Sequence, residues 1–514
     1  MTICFECDGT TYLNFAKSLV TGESFNLLRG PIYPVFLILT GSVWPGTLII
    51  TLFIQWLMGI TAILLILKLL KGQPIFLRFI FLILATSTSY TFFGAKILLA
   101  EQLTMFLCVV ASVMYINLSK AKILFHKYII ISIFATLAFL TRYETLSFLL
   151  IITFLLFLKL FKKGNFAKGI IIVCIPIFVV AQWNIYKSIQ NDMKLNLFKV
   201  ASESGVQLLW SVNFASVNTQ IDDSANKPRI NHSSPLLHSY DCSNPTLCNT
   251  AFFSPSNGET TREVIRIVKE SLDKNREPFD RKIYGLAQDQ SYESEMNRIW
   301  QPASNDPAMV VDWFFSSDID RRSTQTILLM NEVLTQEVGL ENSDKLLRHV
   351  AIEAVMSHPR LLKSYLDNFL KWFGLDLKNM KLFYIKNTSI DYWKVPFNVV
   401  NCAGVVMTTN QFEEYEYIFS TNDPNPKIEN LTSNSMQISR IIYLLLMIFW
   451  FWKRINRKVL DSSNVYVFIA AYVSTVSFLT ISQSVINSKY SILPGSLMLI
   501  SIATIINSIN RVKH

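Results

Sequence analysis

The stretch ATLAFLTRYETLSFLL, residues 135–150, interrupts a long apolar run with two charged residues, Arg142 and Glu144. The whole run extends from 127 to 161. A helix needs about 20 residues to cross the hydrocarbon core of a bilayer. The run is therefore long enough for two short spans, and the TRYE segment predicts a turn between them. This pair of helices sets the fold class: an all-α membrane protein that crosses the bilayer several times.

The rest of the chain has the same character, since 51% of the 514 residues are hydrophobic and only 16% are charged. Seven further apolar runs are roughly as long as a membrane span. They lie at residues 46–67, 75–92, 97–117, 169–188, 437–452, 463–485 and 490–508. Together with the two halves of the interrupted run, they predict nine spans.

Lysine and arginine cluster in every second loop, and short loops rich in these residues stay on the cytoplasmic side. The cytoplasmic set comprises Lys68, Lys71, Arg78, Lys120, Lys122, Lys127, Lys159, Lys162, Lys163, Lys168, Lys453, Arg454, Arg457, Lys458, Arg511 and Lys513. Orientation in a plasma or inner membrane therefore explains most of the formal net charge of +10. No nucleic-acid partner is predicted.

The predicted organisation has four parts. They are an external first loop (1–45), an N-terminal transmembrane bundle (46–188), a large external domain (189–436) and a C-terminal bundle of three spans (437–514). The external domain has helical periodicity over several turns and is expected to be mainly helical.

One helix of the external domain has an apolar side. Pro359 should end one helix and begin the next. The apolar side of that next helix comprises Leu361, Leu362, Tyr365, Phe369 and Trp372. Such an amphipathic helix suits a membrane surface.

The chain opens with FECDGTTYLNFAKSLVTGESFNLLRGPIYP, residues 5–34, before the first long apolar run. Tyr12, Phe15, Ala16 and Leu19 recur at helical spacing, and Gly22 is placed to end the helix. This predicts a helix lying on the membrane. An external start implies that a first span precedes Met1. Alternatively, a tail of about 45 residues with few positive charges crosses unaided.

Two cysteines, Cys242 and Cys248, lie close together in the predicted external domain. Because disulfides persist outside the cytoplasm, they are predicted to pair with each other.

Asp8, Tyr12 and Ala16, followed by TGESFNLLRGPIYPVFLIL, form a motif that resembles the first external loop of GT-C glycosyltransferases. This is the class of protein O-mannosyltransferases, aminoarabinose transferases and related lipid A sugar transferases. GAKILLAEQLTMFLCVV, ATLAFLTRYETLSFLL, AIEAVMSHPRLLKSYL and NSKYSILPGSLMLI resemble later segments, in order. Two features depart from the pattern: Lys489 stands where that class often has arginine, and the helix that should precede Asp8 is absent.

The resemblance implies an inverting transfer of a hexose or pentose from a polyprenyl-phosphate donor to a glycan, lipid or protein acceptor on the outer face. A carboxylate must accept the proton of the attacking hydroxyl, and the departing phosphate needs positive charge nearby. The implied catalytic residues are Asp8, as base, and Glu101. The residues implied to bind the donor phosphate are Arg142, Lys489 and Arg29. Those implied to bind the acceptor or to support the site structurally are Glu6, Tyr12 and Tyr33. A divalent metal, Mg²⁺ or Mn²⁺, is the implied cofactor, with Glu101 as candidate ligand.

The candidate residues also have plainer interpretations. Asp8 suits a helix N-terminus in any protein. Glu101 lies in an apolar segment, where an ionisable residue is a functional candidate, yet a salt bridge to Lys96 would also explain it. Arg142 and Glu144 would pair with each other in a simple turn. Lys489 would also be explained as a snorkelling side chain at the membrane interface, and Arg29 as a contact to a lipid headgroup.

Two other function classes stay open. An oligosaccharide-repeat polymerase has many spans and one large external loop, but it is expected to rely on arginine-rich external loops. A transporter or flippase of lipid-linked sugars predicts broken helices and a repeat between halves, which the unequal spans do not favour.

Overall fold

The computed structural model describes residues 7–22, 30–44, 48–87, 100–118, 124–190, 204–206, 208–209, 211–212, 257–274, 324–373, 375–376, 381–382, 426–456, 463–483 and 492–510. This part of the chain is mostly helical. Its only strands among the described residues are β1 (Leu375–Asp376) and β2 (Lys381–Leu382), which pair in antiparallel fashion.

Eight helices form the N-terminal part. They are α1 (Cys7–Thr21), α2 (Ile32–Leu39), α3 (Leu48–Leu69), α4 (Ile75–Ser87), α5 (Ala100–Leu118), α6 (Phe125–Thr141), α7 (Leu146–Phe161) and α8 (Phe166–Gln190). A single 3₁₀ turn (Tyr143–Thr145) joins α6 to α7.

The later helices form two groups. The first is α9 (Glu259–Lys274), α10 (Thr324–Val338), α11 (Leu340–Ser357) and α12 (Pro359–Lys371). The second is α13 (Pro426–Ile455), α14 (Ser463–Gln483) and α15 (Ile492–Asn510).

Within the described residues, five helical segments are long and apolar enough to cross a membrane. They are Ile50–Leu69, Ala100–Leu118, Tyr143–Phe161, Phe166–Gln190 and Asn464–Ile481. Phe125–Thr141 and Leu493–Ile509 are shorter apolar helices. These segments indicate an integral membrane protein. The count of nine spans and the external position of residues 189–436 stay predictions.

The turn predicted at TRYE is confirmed. α6 ends at Thr141, Arg142 has extended backbone angles, and α7 begins at Leu146. The extended residue stops the helical hydrogen-bond ladder, so the apolar run becomes two helices instead of one.

The opening helix is also confirmed. Tyr12, Phe15 and Ala16 are buried, and Leu19 packs against the same core. Gly22 ends the helix with a φ of 76°, a left-handed conformation that favours glycine. Its N–H donates to the Ser18 carbonyl at 2.9 Å. That this helix lies on a membrane stays a prediction.

The apolar helices pack around one continuous apolar core, in which α5 contacts α3, α6 and α15. Basic residues mark one end of this bundle. Lys159, in the last turn of α7, lies over the Tyr115 ring at 3.8 Å, and Lys168, near the start of α8, lies 5.7 Å from the Phe125 ring. The TRYE turn, between the far ends of α6 and α7, lies at the other end.

A second apolar core lies among the helical residues 204–206, 208–209 and 211–212 and the helices α9, α10, α11 and α12. Pro359 begins α12 directly after His358, as the sequence predicts. α12 then reaches the first core, because Trp372 and Phe373 at its end are buried there. This helix therefore contacts both cores.

Candidate functional site

Three charged side chains meet at the end of the bundle opposite Lys159. Glu101 lies in the first turn of α5, Arg142 follows the last residue of α6, and Glu144 lies in the 3₁₀ turn before α7. Helix N-termini favour negative charge and C-termini favour positive charge. Each residue therefore has the sign that its own helix end stabilises.

The Arg142 guanidinium holds the three together. Its Nη1 donates to Glu101 Oε1, its Nη2 donates to Glu144 Oε1 at 2.7 Å, and its Nε donates to Glu144 Oε2 at 3.2 Å. The Glu144 contact is the two-point pairing that fits a planar guanidinium to a carboxylate. We call Glu101, Arg142 and Glu144 the charged cluster.

The charged cluster is almost closed to solvent. The side chains of Glu101 and Arg142 are 4% and 7% exposed, and that of Glu144 is 15% exposed. Two carboxylates against one guanidinium give these three residues a formal charge of −1. Among the described atoms, Glu101 Oε2 is buried without a hydrogen-bond partner. A buried, unpartnered carboxylate oxygen is costly and needs an explanation.

Polar and aromatic side chains border the charged cluster. Tyr12 lies near Arg142, and its ring meets the Tyr33 ring edge-on at 4.9 Å. The Tyr33 hydroxyl donates to Gln55 Oε1 at 2.6 Å. Gln102, next to Glu101, donates to the Gln55 carbonyl at 3.3 Å. These contacts join α1, α2, α3 and α5 beside the cluster.

Gly30 brings the segment before α2 onto this site. A Cβ at residue 30 would overlap the Leu140 carbonyl and lie 3.1 Å from the Thr141 carbonyl. The backbone therefore crosses the end of α6 at a distance that only glycine permits. This approach places Gly30, two positions before α2, beside the last two residues of α6, which directly precede Arg142.

The structure brings together four of the residues that the sequence singles out: Glu101, Arg142, Tyr12 and Tyr33. Asp8 lies in α1, four positions before Tyr12, so the two positions share a helix face. Its side chain lies outside the described residues. So do Glu6, Arg29, Lys489, Lys96 and the predicted pair Cys242 and Cys248.

The structure favours the plainer interpretation of Arg142, since this residue pairs with Glu144 and also with Glu101. That its guanidinium binds the donor phosphate stays a prediction. The sequence reasoning missed Gln55 and Gln102 as members of the site. A signal existed, because a polar residue inside an apolar span usually faces the bundle interior.

The predicted metal also stays a prediction. Among the residues that the structure describes, no group of three His, Cys, Asp or Glu side chains could hold a metal ion. The oxygens available nearby are Glu101 Oε2 and Gln102 Oε1, both buried without a hydrogen-bond partner in the described part of the chain. One carboxylate and one amide oxygen make an incomplete shell for Mg²⁺.

No protein-family model, curated protein or solved structure matches the chain.

Proposed function

We propose that the chain is a membrane glycosyltransferase that moves a sugar from a polyprenyl-phosphate donor to a hydroxyl-bearing envelope acceptor. One observation supports this most: a buried Glu101–Arg142–Glu144 cluster at one end of an apolar bundle, with a carboxylate oxygen left unpartnered. Ionisable groups buried within an apolar helical bundle are expensive and are functional-site candidates by default. The motif resemblance supplies the reaction class.

In this reaction the acceptor oxygen attacks the anomeric carbon of the donor as the bond from that carbon to the phosphate oxygen breaks. The acceptor proton passes to a carboxylate, because a neutral hydroxyl is a weak nucleophile. We assign this base to Asp8, which lies one helical turn before Tyr12. The phosphate leaves on the opposite face, so the anomeric configuration inverts.

Glu101 is proposed to orient the acceptor. Its Oε1 is held by Arg142, which fixes the carboxylate, while Oε2 can accept a hydrogen bond from a hydroxyl. A hydroxyl donor would remove the cost of the unpartnered oxygen. Glu144 and Arg142 would then act through Glu101 by fixing its position.

The phosphate role of Arg142 needs one of its ion pairs to open, because two carboxylates engage the guanidinium. Arg29 and Lys489 are the other proposed phosphate contacts. A cation near the leaving phosphate would stabilise the charge that develops there.

The test is sugar transfer in membranes that contain the full chain and a set of polyprenyl-phosphate sugars. Asp8→Asn is expected to insert normally and to lower transfer by roughly a hundredfold or more, the usual loss for a positioned base. If Asp8→Asn transfers sugar as well as the parent chain, the base assignment is wrong. If no donor is consumed, the polymerase or transporter alternative replaces the proposal.

A further inference from the structure

Helix α12 exposes apolar side chains on one face. Leu362 is 55% exposed and Leu366 is 56% exposed, and they lie four positions apart, on the same side of the helix. The adjacent face of the helix is covered, because Leu361 is buried in the second core and Tyr365 packs against it. The exposed leucines therefore need a different partner.

The C-terminal end of α12 is fixed against the middle of a candidate span. The Tyr472 hydroxyl donates to the Trp372 carbonyl at 2.8 Å, and the Phe373 ring meets the Tyr472 ring edge-on at 5.5 Å. Tyr472 belongs to α14, whose span runs from Asn464 to Ile481. At 1.5 Å per residue, Tyr472 lies about 13 Å from the Ile481 end.

A second contact fixes the direction of α12. The Ser211 hydroxyl donates to the Ile481 carbonyl and lies 3.0 Å from the Tyr365 hydroxyl. Tyr365 is therefore near the end of the span, while Trp372 is near its middle. The seven positions between them rise about 10 Å, so α12 runs alongside α14 in the opposite direction.

Two charged side chains in the second half of α12 pair with each other. Asp367 and Lys371 pair at 2.7 Å, with side chains 18% and 20% exposed. The Lys371 carbonyl accepts a hydrogen bond from Arg440 Nη1 at 3.4 Å. Charged residues inside a membrane pair in this way. Lys363, nearer the start of the helix, is exposed and long enough to reach a headgroup phosphate.

We propose that α12 is a half-span that enters the lipid layer at the Ile481 end of α14 and ends near the middle of that span, with Leu362 and Leu366 against lipid. On α14, Phe478 is 37% and Ile481 is 55% exposed, so the lipid-facing surface of the span continues onto α12. Because its apolar residues lie on one face only, α12 contains no long apolar run. Composition alone therefore does not identify α12 as a membrane-inserted segment. The proposal is independent of the proposed reaction.

The experiment uses the full chain in proteoliposomes, with a fluorescent amino acid encoded at position 366 or at position 341. Glu341 is the matched control, since it is exposed in the first turn of the neighbouring helix α11. Lipids brominated near the headgroup end of the acyl chain quench fluorophores in the membrane. Iodide quenches those in water.

At position 366 we expect brominated lipid to remove roughly half of the emission and iodide to have little effect, the behaviour of a side chain buried at the acyl boundary. At position 341 we expect iodide to quench the emission and brominated lipid to have little effect. Iodide quenching at 366, or quenching by neither agent, would overturn the proposal, because the face would then meet water or protein. Lipid quenching at both positions would also overturn it, since the probe itself would be entering the membrane.

Discussion

At Arg142, burial destabilises the charged guanidinium, whereas the neighbouring carboxylates stabilise it. Removing a guanidinium from water costs several kcal/mol, and nearby carboxylates offset that cost only with good geometry. Arg142 donates two hydrogen bonds to Glu144 and a third to Glu101. The stability of the site therefore depends on Arg142 and both of its carboxylate partners being present.

Arg142→Ala should destabilise the protein strongly, because it leaves the buried Glu101 carboxylate and the half-buried Glu144 carboxylate without their shared cation. Breaking a buried pair in this way typically costs about 3–5 kcal/mol. Thermal unfolding in detergent, followed by tryptophan fluorescence, measures the effect.

The matched control is Arg266→Ala. Arg266 pairs with Glu270 at 2.9 Å on α9, with side chains 60% and 48% exposed. Exposed pairs of this spacing contribute about 0.3–0.5 kcal/mol, so the control should unfold almost like the parent chain. Equal shifts for the two variants would contradict the burial of the charged cluster.

Gly30→Ala should push the segment before α2 away from the end of α6, because the new methyl group would overlap the Leu140 carbonyl. Overpacking of this kind costs about 1–3 kcal/mol. Gly72→Ala is the control, since a Cβ there meets nothing within 4 Å. If the two variants have the same unfolding midpoint, the close approach at Gly30 does not exist.

The elements of the second core are joined by a carboxylate at a helix N-terminus. Glu353 on α11 accepts hydrogen bonds from the N–H groups of Thr260 and Thr261, at 2.9 and 2.8 Å, and from the Thr261 hydroxyl at 2.7 Å. These donors lie in the first turn of α9. The carboxylate thus caps one helix from the side of another, as helix N-termini favour.

This cap predicts a pH dependence. Burial alone would raise the pKa of Glu353, but the hydrogen bonds from Thr261 and Thr260 lower it below the ordinary 4.5. A lowered folded-state pKa means that the cap stabilises the protein above about pH 4.5. That contribution is lost as the pH falls through the lower folded-state value.

We therefore expect Glu353→Gln to be less stable than the parent chain at pH 7, by roughly 1 kcal/mol, the usual effect of losing a cap. The difference should shrink as the pH is lowered below 4.5. Unfolding midpoints measured for both proteins across this range check the prediction. A difference that stays constant with pH would show that the charge of Glu353 does not stabilise α9.

Element boundaries were largely predictable because they depend on neighbouring residues. Pro359 cannot continue the helix before it, and Gly22 accepts a left-handed conformation. The role of α12 was less predictable. Its sequence shows one apolar side, but only its contacts with Tyr472 and Ser211 show where that side lies.

Across the whole molecule, the candidate site depends on packing between distant segments. Glu101 and Arg142 were each predictable as polar residues in apolar surroundings, and the alternation of basic loops predicts the same side of the membrane for both. Their direct pairing was not predictable. It joins residues 41 positions apart and depends on how α5 and α6 pack. Gln55 joins the site for the same reason, through Tyr33 and Gln102.

The central claim is that this cluster serves sugar transfer from a polyprenyl-phosphate donor. The most direct measurement compares initial transfer rates of Glu101→Gln and Glu270→Gln with the parent chain in membranes, at matched amounts of inserted protein. The account predicts that Glu101→Gln lowers transfer by roughly a hundredfold, the usual loss when a reactant is no longer held in position, while Glu270→Gln on the exposed face of α9 retains the parent rate. Parent-like transfer by Glu101→Gln would contradict it.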